Sequence, residues 1–156
     1  MKKNSILIVI VLLFITCIAS AFYLGSRNDA PKGNLAVVSG NKTVLIDPFE
    51  DDPVPVKGVI INAKGKEKDV DETGISLKNA LSKSGLDNGG FTKARVVSSD
   101  EYAVEISFDE INEDGKAYLA KQQEEDGSTT ARLYVFGDSD AKRQVKNVVR
   151  IELLNE

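Results

Sequence analysis

The segments ARVVSSDEYAVEIS (residues 94–107) and KAYLAKQQEEDGSTTARLYVFGDSDAKRQVKNVVRIEL (residues 116–153) decide the fold. Apolar and polar side chains alternate in them at the period of two that buries one strand face and wets the other. Tyr102, Val104, Ile106 and Phe108 share one face, and Ala103, Glu105 and Ser107 the other. Residues 117–121 and 131–136 read as a strand pair around a polar turn at 124–128, and 145–153 as a closing strand.

Working outward, 91–97 pairs with 102–108 across a turn at 98–101. Farther upstream, 35–39 and 43–46 form a hairpin around Gly40-Asn41, and 57–63 with 66–70 a second across Lys64-Gly65. Residues 47–55 (DPFEDDPVP) hold three prolines and four acids, which marks a solvated connection. One helix is expected after Thr73-Gly74. Ile75, Leu77, Ala80 and Leu81 recur at near-helical spacing, Ser76 can cap it, and Gly85 can end it with Leu86 beyond. The fold class is therefore α+β, mostly β, with a mixed or antiparallel sheet and one short helix in a single domain over 34–156.

That domain is expected behind an N-terminal transmembrane helix. Residues 6–24 (ILIVIVLLFITCIASAFYL) follow Met1-Lys2-Lys3, and about 19 residues at 1.5 Å each reach roughly 29 Å, a bilayer's hydrocarbon thickness. Residues 1–24 read as a membrane anchor, because the apolar run passes straight through the A-x-A pattern at Ala19 and Ala21. The alternative is a signal peptide cleaved between Ala21 and Phe22, which gives a secreted protein. Residues 25–33 (GSRNDAPKG) make a flexible stalk. Either reading puts the domain outside the cytoplasm, in the cell envelope.

Composition removes several chemistries. Cys17 is the one cysteine of the chain and lies in the apolar run, so the domain has neither a disulfide nor a thiolate, and histidine is absent altogether. Net charge is −4, of which residues 1–30 contribute +2 (Lys2, Lys3, Arg27, Asp29), so the remainder carries −6. Such a surface does not suit nucleic acid.

The loop Gly137-Asp138-Ser139-Asp140-Ala141-Lys142-Arg143-Gln144-Val145-Lys146 is the candidate site. A glycine among small polar residues exposes backbone N–H groups, and Lys142, Arg143 and Lys146 add cations, a composition that suits a phosphate or other anion. It competes with an ordinary charged turn. Gly137, Asp138, Arg143 and Lys146 are the proposed binding residues, with Arg143 and Lys146 expected to be exposed. The Asp138–Asp140 spacing opens like a calcium loop but lacks that motif's glycine and distal glutamate.

Three segments resemble the oxidoreductase molybdopterin-binding domain, the sulfite-oxidase-like fold, over about residues 73–153. They are GISLKNALSKSG (74–85), VSSDEYAV (97–104), and LYVFGD (133–138) followed by RQVKNVVRI (143–151). The resemblance implies a pterin phosphate held by basic residues that fall here on Arg143 and Lys146. It also implies a molybdenum-ligating cysteine upstream, which has no counterpart, and Phe136 and Asn147 depart from the pattern. The expected function is a non-catalytic binding module for an anionic ligand or an envelope protein partner. The alternatives are a divergent molybdopterin-dependent oxidoreductase, or an accessory subunit of one, and a purely structural envelope domain.

Overall fold

A computed structural model describes residues 2–25, 33–51, 53–87 and 90–155, with the side chains of the first helix described over 9–20. Helix α1 (Lys2–Gly25) precedes a domain of nine strands and two short helices. Residues 26–32 of the expected stalk (25–33) and the side chains at the Ala21–Phe22 cleavage site lie outside the described residues.

The transmembrane part of the expected fold class is corrected here. Among the described residues no helix is long and apolar enough to cross a membrane. Within α1 the Thr16 hydroxyl donates to the carbonyls of Leu12 and Leu13, at 3.1 and 2.8 Å.

The strands are β1 (Leu35–Ser39), β2 (Lys42–Ile46), β3 (Val54–Ile61), β4 (Glu67–Ser76), β5 (Lys93–Ser98), β6 (Ala103–Ser107), β7 (Ala117–Gln123), β8 (Thr129–Val135) and β9 (Val145–Leu154). They form one mixed sheet in the order β2-β1-β9-β8-β7-β4-β3, with β5 on β9 and β6 on β5. The four alternating pairs read from the sequence are the antiparallel pairs β1–β2, β3–β4, β5–β6 and β7–β8. Pro55 lies in β3, which ends the strand order, where a missing N–H donor is tolerated.

Strand β9 organises the sheet. Its first residues pair with β8 (Val145 with Leu133, Val148 with Ala131) and its last run parallel to β1 (Arg150–Leu153 against Ala36–Ser39), while β5 pairs with it from Ser98 to Lys93. Between the two partners Asn147 takes φ +50°, a left-handed conformation that asparagine tolerates better than most residues. Its carbonyl accepts from Ser99 N–H at 2.9 Å, where the β5–β9 register shifts.

Alternation along β7 and β8 buries both faces. Leu119, Leu133 and Val135 join the main core with Leu35, Leu77, Leu81, Ile106 and Ile151. Ala120 and Tyr134 point the other way, into a second cluster with Val56, Ile60 and Val70 from the β3–β4 hairpin. The hairpin thus lies over the outer face of β7 and β8. Gly74 allows this, because a Cβ there would stand 2.8 Å from Ala120 Cα and 2.9 Å from the Leu119 carbonyl carbon. Gly74 is thus a residue of β4 itself.

Helix α2 (Leu77–Ser84) starts at Ser76, whose hydroxyl accepts from Asn79 N–H at 3.2 Å, and stops at Gly85 with φ +64°. Leu77, Ala80 and Leu81 face the core. A further helix, α3 (Phe108–Asn112), corrects the expectation of a single one. Ser107 and Glu110 form a capping box, Ser107 Oγ accepting from Glu110 N–H at 3.3 Å and the Glu110 carboxylate accepting from Ser107 N–H at 3.1 Å. Phe108 therefore leaves the strand alternation and packs edge-on against Phe91, with centroids 5.3 Å apart.

Candidate functional site

The loop after β8 holds the four residues expected to bind an anion, and the structure divides them. Arg143 is not free to bind one. Its Nε donates to Asp138 Oδ2 at 2.8 Å, its Nη2 to Asp138 Oδ1, and its Nη1 to Glu110 Oε1 at 2.7 Å. The fork geometry matches one carboxylate edge-on and leaves the third nitrogen for the other. Arg143 is only 30% exposed and Asp138 12%, against the expectation of an exposed cation. Gly137 is an exposed turn residue at φ +79°.

The three charges shape one another. Burial works against the Glu110 carboxylate, but hydrogen bonds from Arg143 and from the Ser107 N–H and hydroxyl outweigh it and hold its pKa below the ordinary 4.5. The guanidinium of Arg143 is held even more firmly protonated, by its bonds to Asp138 and then to Glu110. Glu110 thus caps α3 and clamps the loop at once. The loop is also held from its far side, where the Tyr102 hydroxyl donates to the Lys142 carbonyl.

Lys146 is placed differently. It is exposed and lines a cleft of about 460 Å³ with Lys68 of β4, Arg132 of β8, Gln144, and Asp100 and Tyr102 of the β5–β6 turn. None of the side chains of Lys68, Arg132 and Lys146 makes an ion pair or hydrogen bond among the described residues. Arg132 stacks on the Tyr134 ring, its guanidinium carbon 4.9 Å from the centroid. Its Nε–H is sealed from solvent and has no acceptor, a rare state for a buried donor.

The neighbours of Arg132 are already committed. Burial and a 2.8 Å hydrogen bond to Glu72 push the Tyr134 hydroxyl up to about 12, and Glu72 also accepts from Gln122 at 3.2 Å. Asp100 is the acid among the cleft residues named above. Hydrogen bonds from the Ser98 hydroxyl and from Tyr102 N–H hold its carboxyl below the usual 3.8. With three cations against one carboxylate the cleft carries net positive charge, in a chain whose total is −4.

Sequence reasoning missed Arg132 because a cation in an alternating strand reads as the solvated face. It also missed Lys68, which the β3–β4 hairpin brings in from 78 positions before Lys146. Among the described residues no group of His, Cys, Asp and Glu is arranged to hold a metal ion. Set against known proteins, the chain matches no family model, and no curated protein is significantly similar to it.

Proposed function

We propose that this domain is a non-catalytic module that binds an anionic small molecule in the cleft between the β3–β4 hairpin and the loop entering β9. One observation carries the reading. Lys68, Arg132 and Lys146 converge on a single concavity without an ion pair among them, although the chain has an excess of carboxylates to offer. Isolated surface cations are ordinary, but three around one cleft favour a ligand that supplies the negative charge.

The experiment is thermal denaturation of the full chain in rising inorganic phosphate and sulfate, beside Arg132→Gln combined with Lys146→Ala. Binding to the folded state raises the midpoint as ligand concentration passes its dissociation constant. Both proteins share the general stabilisation by these excluded salts, and the wild type is expected to gain several degrees more than the double variant at high phosphate, a difference that sodium chloride weakens. An equal gain in both proteins would rule the cleft out.

The molybdopterin reading rests on Lys146 alone among the residues that the resemblance assigned, since Arg143 is spent on Asp138 and Glu110. With Cys17 in α1 the chain's one cysteine, the domain offers no thiolate to a metal. Molybdenum and released pterin in stoichiometric amount, in protein purified from its native host, would overturn the non-catalytic reading.

A further inference from the structure

Asp100 is an odd residue for a site that takes a bare anion. It stands in the cleft with Lys68, Arg132 and Lys146, and its contacts with the Ser98 hydroxyl and Tyr102 N–H fix its position. A simple oxyanion held by the three cations would be repelled by it. A carboxylate has about four acceptor sites, and those two donors leave some unused. Gln144 is a second acceptor in the same wall. Its Nε2 donates to Ile61 carbonyl at 3.2 Å, which fixes the amide and leaves Oε1 open to the cleft's occupant.

Size points the same way. The cleft volume of about 460 Å³ lies within the range that small organic ligands occupy, several times what a single oxyanion fills. The Tyr102 hydroxyl is already spent on the Lys142 carbonyl, and the lining brings the three cations together with the acceptors of Asp100 and Gln144. Cations ask for an anionic group, and acceptors ask for hydroxyls.

Resting on the anion-site reading above, we infer that the ligand is a hydroxylated organic anion, a phosphorylated sugar or polyol. Its anionic group faces Arg132 and Lys146, and its hydroxyls donate to Asp100 and Gln144. Asp100 then sets specificity, since it rewards a donor and penalises an anion without one.

The test is calorimetric titration of the full chain with glucose 6-phosphate, inorganic phosphate and glucose. Glucose 6-phosphate is expected to bind about tenfold more tightly than inorganic phosphate, the size of one hydrogen bond to a charged group, and glucose not measurably. Asp100→Asn, which keeps an acceptor for Tyr102 N–H, should reduce the tenfold preference to about twofold or less without weakening phosphate. Lys146→Ala should weaken both phosphates together. Equal affinity of wild type for the two phosphates overturns this inference and leaves the anion site standing. An undiminished preference in Asp100→Asn also overturns it. Failure of both phosphates to bind removes the anion site as well. The wild-type comparison decides even if the variant fails to fold.

Discussion

Gly74→Ala is expected to cost about 3–4 kcal/mol of stability, near the top of what a single methyl group can do. The methyl would enter the backbone of β7, with Ala120 Cα at 2.8 Å and the Leu119 carbonyl oxygen closer still. Main chain cannot rotate away as a side chain can. The β4–β7 pairing of Gly74 with Ala120 would have to part, and the second cluster built on Val70, Ala120 and Tyr134 with it. Chemical denaturation followed by circular dichroism reads the loss. Gly58→Ala is the control, since its methyl meets the ring of Phe136, a partly exposed side chain free to turn, and should cost about 1 kcal/mol. If Gly74→Ala is as mild as its control, the two strands are not as close as described.

Arg143→Met is expected to destabilise the fold by about 2 kcal/mol at neutral pH, less than a fully buried charge pair would lose because solvent reaches part of the group. Two carboxylates, on Asp138 and Glu110, would be left without their cation. The deficit depends on acidity. The Glu110 pKa is depressed in the folded protein, so its contribution is complete above the unfolded value near 4.5 and is lost as pH falls through the folded value. Wild type and variant should therefore differ fully above about pH 5 and converge below it. Phosphate affinity should weaken too, since the freed loop carries Ala141, Gln144 and Lys146 of the cleft wall. Unchanged stability with lost phosphate binding would instead return Arg143 to the role of a ligand-binding residue.

The hairpins were legible because strand alternation is local, and α2 because Ser76 and Gly85 cap it with chemistry visible in a dozen residues. Helix α3 was hidden by a period that ran one turn too far, although Ser107-x-x-Glu110 spells a capping box in the sequence. What could not be read is what separates in sequence and meets in space. Arg143 looked like a free cation because its second partner, Glu110, is 33 positions away. Arg132 looked like a solvated strand residue until the β3–β4 hairpin folded over its face. The need for a glycine at position 74 was hidden too, because close approach of two backbones leaves no pattern in either strand. The membrane span expected of the apolar N-terminal run rested on composition, and among the described residues no helix is long and apolar enough to cross a bilayer.

The three partners of β9 have a consequence for how the chain is born. Strand β9 is made after the other eight strands of the sheet, yet β1, made first among them, has only β2 beside it until Arg150 to Leu153 arrive more than a hundred residues later. Strand β5 waits for the same residues. Pairings of such long sequence separation cost the most loop entropy and form slowly. The central seam of the sheet is therefore expected to close only once β9 has left the ribosome.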